Sequence, residues 1–487
     1  MRSLNSWKMG STRKLIVNNV FWKYMELFSV MGVQLLCTSI MARFLSPEDF
    51  GILGVIIVFT SLGDIFVISG FVQTLIREKD VTRTDYSTVF YFNVGVSILL
   101  YAMFFFLSDF IVAFYNRPDL VNVFRVAFLV LPLNALSIVQ LTKLQREVKF
   151  KKIFFITFIS SLLSASLAIG VVLVYQNIWA LVIQIVASYI FKNLLFWLTT
   201  DFIPELKFSY ATFKRYFQFS KNLLVSGFIG TIFNNVYSLI IGKVYSVSEL
   251  GYYSQASRFN NLASHTTTQV VQSVTYPILS KLNNENGDIK DAYRKITAVT
   301  IIVVGFAMSL LMSCALDFFE IFFGNSLWRI AGVYFLLIGI NGILFPLHCI
   351  NQNILLVKGD SKTILFLEIV RRCLMTLVIL VTMNFNILVF ISGLSIYSIL
   401  LLFLNLYYCC RPIQYSVREQ LYDTLPIFAR LILMILLAQV TTHFLSIDNV
   451  YLRLVVSCSI CLVVGVIMFW RQSDFQNLRA VFRKTYK

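Results

Sequence analysis

Charge is the scarcest ingredient of this sequence. Only 13% of its 487 residues are Asp, Glu, Lys or Arg, against about 25% in a soluble globular protein. A chain that is also 58% hydrophobic is not disordered, because disorder needs low hydrophobicity and high charge. The same numbers argue against a cytosolic enzyme. Histidine is rarer still. His265, His348 and His443 stand far apart, and no HExxH pair exists. No GxxxxGK[ST] loop exists either, so the chain carries no phosphate cradle for ATP hydrolysis. The eight cysteines all lie in or beside apolar stretches, which excludes a disulfide-stapled secreted module. Cys458 and Cys461 form a CxxC inside such a stretch, and there it reads as packing rather than redox or metal chemistry.

Apolar runs fill the space that charge leaves. A membrane helix needs about 20 mostly apolar residues. Fourteen runs qualify, at roughly 15–42, 50–75, 86–107, 119–141, 153–175, 178–200, 219–242, 250–278, 295–316, 328–353, 363–383, 386–410, 425–445 and 451–470. The eighth is unusually polar. No small-residue cleavage site follows the first run, so it reads as a retained span rather than a signal peptide. All loops are short, so no soluble domain is inserted.

The net charge of +17 comes from 41 basic against 24 acidic residues. In a soluble domain it would suggest nucleic acid. With the N-terminus in the cytoplasm and fourteen spans, 29 Lys and Arg fall in cytoplasmic segments and five outside, namely Arg43, Arg117, Lys243, Arg329 and Arg453. That asymmetry is the positive-inside rule. It leaves no charge for nucleic acid to explain and puts both termini in the cytoplasm. The tail 471–487 alternates Phe475, Leu478, Phe482 and Tyr486 with Arg479, Arg483 and Lys484, which suits a basic amphipathic helix on the inner leaflet.

An internal repeat shows at an offset of 200. Ile40, Ser46, Gly51, Phe59 and Leu62 match Ile240, Ser246, Gly251, Phe259 and Leu262. Both segments sit between the first and second span of a six-span unit. The expected fold is therefore an all-α integral membrane protein of about 14 transmembrane helices. Two six-helix lobes, 1–205 and 206–410, precede a final pair of helices and the basic tail, 411–487. Both lobes start on the same side, so the repeat is parallel.

Polar residues inside the spans are costly and default to function. In the eighth span Ser254, Arg258, Asn261, His265, Gln269, Gln272 and Tyr276 recur every three or four residues, which places them on one face of an α-helix. The seventh span carries Asn222, Ser226, Gly230, Asn234 and Tyr237 in similar rhythm. Such stripes face water, a polar cargo or other polar helices. Ionisable residues within spans lean positive: Lys23, Arg125, Lys192, Arg258, Arg371, Arg372 and Arg430 against Glu26, Asp64 and Glu368. Lys23 with Glu26, and Glu368 with Arg371 or Arg372, have the spacing of local pairs. Arg125 and Lys192 read as snorkelling or structurally paired. Arg258 lies on the stripe and is the cation best placed for an anionic cargo, above all a diphosphate. The candidate cargo residues are Arg258, Asn261, His265, Gln269, Gln272, Asn234, Lys23 and Arg125. Asp64 and Glu26, with His265, are candidate coupling groups. No metal site is expected.

Several runs carry a family resemblance. They are Ala42-Arg43-Phe44-Leu45-Ser46-Pro47-Glu48-Asp49-Phe50-Gly51, Gln140–Arg146 with Lys149-Phe150-Lys151, and Ile178–Val182 with Gln184. Leu250–Arg258 after Ile241-Gly242-Lys243, Tyr276–Ser280 and Lys358-Gly359-Asp360-Ser361 complete the set. On these the chain resembles Wzx-type lipid-linked oligosaccharide flippases, in the branch of the colanic-acid and teichuronic-acid exporters. These belong to the multidrug/oligosaccharidyl-lipid/polysaccharide exporter superfamily. One departure stands out: Tyr237 occupies a position that is acidic in many relatives. The resemblance implies two lobes around a cavity that opens alternately to each side of a bacterial inner membrane. It implies an undecaprenyl-diphosphate-linked repeat unit as cargo, for O-antigen, capsule or exopolysaccharide synthesis. No cofactor is implied, and H+ or Na+ is the candidate coupling ion. Membrane lipids, a polysaccharide polymerase and a chain-length regulator are the implied partners. Three rivals remain from the residues themselves. A multidrug antiporter would favour acidic or aromatic cavities, and a membrane-embedded glycan polymerase or ligase would need a larger outside loop. A scaffold would leave the polar stripe as an unexplained cost.

Overall fold

A computed structural model describes residues 2–470 apart from positions 69, 79, 286, 287 and 446. The amphipathic tail at 471–487 lies outside the described residues. The described chain forms eighteen α-helices and divides into two compact units, Met1–Gly251 and Tyr252–Lys487.

The first unit holds α1 (Arg2–Met41), α2 (Pro47–Ile68), α3 (Phe71–Arg77), α4 (Arg83–Phe114), α5 (Val121–Ala127), α6 (Val130–Arg146), α7 (Phe150–Tyr175), α8 (Trp179–Thr199) and α9 (Tyr210–Ile240). The helix α10 (Val247–Asn260) begins here. A π turn at Asn261–Thr266 continues it into α11 (Thr267–Asn284). The second unit adds α12 (Ile289–Ser313), α13 (Ala315–Phe323), α14 (Arg329–Lys358), α15 (Ser361–Thr382), α16 (Ile387–Cys410), α17 (Val417–Phe444) and α18 (Val450–Trp470). Each of the fourteen apolar runs falls on helix. Twelve helical segments are long and apolar enough to cross a membrane. The two others are the polar segment 247–284 and α15. The first owes this to its stripe, the second to Lys362, Glu368, Arg371 and Arg372.

Local chemistry sets the helix ends. The Thr82 hydroxyl accepts from the Asp85 amide, and the Asp85 carboxylate accepts from the Thr82 amide, closing a capping box on α4. The Lys358-Gly359-Asp360-Ser361 motif is a helix–helix turn. Gly359 takes φ +71° as the left-handed cap of α14, and Asp360 caps α15 by accepting from the Thr363 amide. The Thr363 hydroxyl and amide hold the Asp360 carboxyl below the usual carboxylate range. The described cysteines are free thiols, and Cys458 meets Cys314 at 3.6 Å rather than forming a CxxC site.

Within the first unit α9 packs on α2 and α3, and the Thr74 and Ser220 hydroxyls meet at 3.3 Å. The two repeat turns meet in the same unit. A Cβ on Gly51 would sit 1.8 Å from the Val247 carbonyl oxygen, and a Cβ on Gly251 would sit 1.8 Å from the Pro47 oxygen. Pro47 and Val247, like Gly51 and Gly251, are 200 residues apart. The crossing is therefore reciprocal, as at a two-fold contact. Both turns also cap their helices alike. The Ser46 hydroxyl accepts from the Asp49 amide at 3.3 Å, and the Ser246 hydroxyl accepts from the Glu249 amide at 3.0 Å.

Around this crossing the cations are tied down. Arg117 bonds Asp119 at 2.9 Å and also Glu48, and Lys243 donates to the Phe114 carbonyl at 2.6 Å. In the second unit Arg453 binds the Asp317 carboxylate with both nitrogens, at 2.8 and 2.5 Å, and Arg329 binds Glu320 at 2.8 Å. At the other end of α12, Arg294 binds Asp423 of α17 at 2.7 and 2.8 Å.

Two predictions follow from these contacts. Gly51→Ala and Gly251→Ala each force the crossing apart and destabilise by about 1–3 kcal/mol through overpacking. The double variant costs clearly less than the sum, because the helices separate only once. Thermal unfolding in detergent measures this, and strict additivity would refute the shared crossing. Asp317→Ala strands Arg453 and lowers stability by about 3 kcal/mol, whereas the exposed Lys295–Asp291 pair contributes no more than about 0.5 kcal/mol.

Candidate functional site

The polar helix of the second unit is built against a defect in its neighbour. Pro346 lies inside α14 and has no amide hydrogen, so the Gly342 carbonyl four residues earlier loses its helical donor. The Ser264 hydroxyl supplies the replacement, donating to Gly342 oxygen at 2.5 Å. Gly342 has no side chain because the Asn260 Oδ1 would lie 2.3 Å from its Cβ. One turn on, the His265 imidazole stacks on the Phe345 ring, with centroids 3.6 Å apart and planes 11° from parallel. Ser264 and His265 both sit in the π turn.

That turn changes the stripe. A π turn adds one residue to the helical repeat, and one residue is about 100° of rotation. Ser254, Arg258 and Asn261 therefore share a face before the turn, while Gln269, Gln272 and Tyr276 share another about a quarter turn away. Asn261, Gln269 and Tyr276 are exposed, and Arg258, His265 and Gln272 are half-buried. Arg258 is engaged by neighbouring groups. The spacing predicted a single face, and the inserted residue splits it in two.

A second polar network in this unit links α14, α15 and α16. Arg371 lies in the middle of the α15 face that buries Leu367, Val378 and Thr382. It donates to Asn405 Oδ1 at 3.1 Å. Because arginine only donates, this contact fixes the amide of Asn405, whose Nδ2 then donates to His348 Nδ1 at 3.1 Å. His348 Nε2 must carry the ring proton, and it donates to Ser398 Oγ at 2.9 Å. Glu368 holds Arg372 at 2.6 Å and lies 3.6 Å from Arg371. His348 is thus packed and hydrogen-bonded, and both arginines use the local pairing that their spacing offers.

The first unit gathers a different set. Lys23 and Glu26 of α1 pair at 2.8 Å. Asp64 of α2 accepts from Asn134 Nδ2 of α6 at 2.8 Å. Lys192 of α8 lies in the electrostatic field of both Glu26 and Asp64. Tyr189, one turn before Lys192, feels Asp64 too. Candidate residues Lys23, Glu26 and Asp64 therefore belong to one cluster. The sequence reads Lys192 as snorkelling or structurally paired. Arg125 stands apart. It binds Asp109 at 2.9 Å and lies over the Phe105 ring at 4.4 Å, the structural pairing that sequence allowed. Asn234 is exposed on α9 and outside this cluster, while Tyr237, at the position acidic in relatives, is buried. Among the described residues no three His, Cys, Asp or Glu side chains converge on a metal position.

Comparison with known proteins fits this architecture. The chain is 25% identical to the teichuronic acid biosynthesis protein TuaB of Bacillus subtilis (strain 168), over 72% of its own length and 73% of the relative. It is 23% identical to the succinoglycan biosynthesis transport protein ExoT of Rhizobium meliloti (strain 1021), over 68% and 67%. It is likewise 23% identical to the lipopolysaccharide biosynthesis protein WzxC of Escherichia coli (strain K12), over 65% and 64%. The fold is similar to that of the lipid II flippase MurJ in its inward closed conformation. That match has a TM-score of 0.67 and 13% identity, and covers 92% of this chain and 99% of that one. A multidrug resistance MATE family transporter matches with a TM-score of 0.60, at 13% identity over 80% and 98%. Of these, ExoT is named for transport, and the two solved neighbours are named as a flippase and a transporter. The polysaccharide biosynthesis protein profile matches residues 40–331, more than half of the sequence, and this multi-pass membrane protein belongs to that family.

Proposed function

We propose that this chain flips undecaprenyl-diphosphate-linked oligosaccharide repeat units from the cytoplasmic to the outer leaflet of the bacterial inner membrane. The observation that supports this reading best is the polar segment 247–284. It is a polar helix kept within a bundle of apolar ones, in a member of a polysaccharide biosynthesis family. A sugar-diphosphate head crosses hydrocarbon only if the protein supplies water-like partners on the way. In this reading Arg258 holds the diphosphate as a charge-assisted donor. Asn261, Gln269 and Gln272, with Asn234, offer amides to the sugars, and the aromatic stack of His265 on Phe345 offers a flat apolar surface to a sugar ring.

The lipid tail stays in the bilayer while the head passes through. Cargo shifts the protein between inward-open and outward-open states only by its differential affinity for them. Asp64 and Glu26 are the groups proposed to couple this cycle to H+ or Na+. The proposed topology keeps both termini in the cytoplasm, and a polymerase and chain-length regulator take up the flipped unit outside.

Two outcomes test the reading. Deleting the gene in its host makes completed lipid-linked repeat units accumulate where an impermeant glycosidase added to spheroplasts cannot reach them. Mass spectrometry then identifies the cargo. Units that still reach the outer face would refute flipping by this chain. Arg258→Ala, inserted at normal levels, lowers export about ten- to hundredfold, the scale of one charge-assisted hydrogen bond. Export at the native rate would remove Arg258 from the cargo path.

A further inference from the structure

Arg371 carries a charge that the helices packed around it do not balance. α14 and α16 both pack on α15. From Arg329 to Cys410, which covers all three helices, the acids are Asp360 and Glu368. Asp360 is occupied as the cap of α15. Glu368 therefore serves two arginines. It holds Arg372 at 2.6 Å and stands 3.6 Å from Arg371. His348 accepts at Nδ1 and donates from Nε2, so its ring adds no charge. Glu368, Arg371, Arg372 and His348 together keep one positive charge.

That charge is deep. α15 has 22 residues, and Arg371 is the eleventh, about 15–17 Å from the two ends at 1.5 Å per residue. The helix presents Leu365, Ile369, Leu377 and Leu380 as an exposed apolar face, and α14 and α16 on either side of it in sequence are both apolar enough to span a membrane. The hydrocarbon core is about 30 Å thick, so an arginine at this position cannot snorkel to either interface. Arg371 donates to Asn405 at 3.1 Å, while its Nε is buried and donates to no described group. Water can serve a spare donor, but it cannot balance a charge. The cluster is short of negative charge, and a guanidinium is the group that pairs with a carboxylate or phosphate through parallel N–H bonds. Both side chains reach the helix surface, Arg371 at 14% exposure and Arg372 at 28%.

We propose that Arg371 and Arg372 bind an oxyanion on the polar head of the cargo, either a carboxylate on one of its sugars or its lipid diphosphate. Glu368 is the internal anion that the ligand competes with. In the empty site Glu368 lies between both arginines. When the oxyanion binds, Arg371 turns to it and Glu368 keeps Arg372. The site reads acidity, so a neutral head of the same size binds less well. That the oxyanion belongs to the cargo rests on the flipping role proposed above, whereas the surplus charge on α15 does not.

The full-length chain, purified in detergent, is titrated calorimetrically with farnesyl diphosphate, with methyl glucuronide and with neutral methyl glucoside. At least one of the two acids binds about tenfold or more tightly than the glucoside. Binding of the diphosphate alone identifies the lipid head as the occupant, and binding of the glucuronide identifies a sugar acid. Arg371→Gln weakens that binding about tenfold or more, the scale of one charge-assisted hydrogen bond. Arg372→Gln repeats the loss if Arg371→Gln unfolds. Glu368→Gln acts in the opposite sense and tightens binding about tenfold, because a neighbouring negative charge is removed. A purely structural ion pair gains no affinity from that change. Acids that bind no better than the glucoside overturn the site. So does acid binding that is unchanged in both arginine variants, or not tightened in Glu368→Gln. Acid binding by a chain whose deletion leaves the lipid-linked pools unaltered overturns the cargo assignment and keeps the oxyanion site. Those pools are measured separately, so failure of the site leaves the flipping reading standing.

Discussion

Hydrocarbon offers no hydrogen-bond partner, and every polar group in these helices is arranged around that fact. Hydroxyls turn back on their own helix. Thr38 donates to the Gln34 carbonyl, Thr142 to Ile138 and Ser160 to Ile156, each at 2.7 Å. Pro346 breaks the ladder of α14, and a serine from another helix repairs it. Charges near the ends find partners across helices, as Asp317 does with Arg453. Not every interior group is matched, and the side-chain amides of Asn93 and Gln140 are buried without a hydrogen-bond partner.

The two units hold their polar groups differently. The chain of contacts from Arg371 through Asn405 and His348 to Ser398 is directional. The fixed charge of the arginine dictates the orientation of the rest. Such a network holds α14, α15 and α16 in register. The first unit uses simpler contacts: Asp64 accepts from Asn134 at 2.8 Å and Lys23 pairs with Glu26 at 2.8 Å.

Much of the helical fold was legible because membrane hydropathy is a one-dimensional signal. Among the described residues, twelve helical stretches announce themselves by length and composition. The two helices that fail the apolar criterion are those with visible polar patterns. The turn at Lys358–Ser361 was recognisable as a motif, although its role as a double cap needed coordinates. The candidate site was less legible. Residue spacing finds a stripe only if the helix keeps 3.6 residues per turn, and nothing in Asn261–Thr266 announces a π turn. The partners of Arg125 and Lys192 lie on other helices. Arg125 meets Asp109, sixteen positions away, and Lys192 senses Glu26 and Asp64, more than a hundred positions away.

The crossing of Gly51 with Val247 and of Gly251 with Pro47 has a consequence for inheritance. Each turn is the mould in which its own duplicate is cast. A side chain gained in one copy is felt by the backbone of the other, so the two segments cannot drift apart as duplicated sequences usually do. The pair behaves as a single heritable character written twice in the gene. An exchange of segments between this chain and a distant relative would have to carry both copies together.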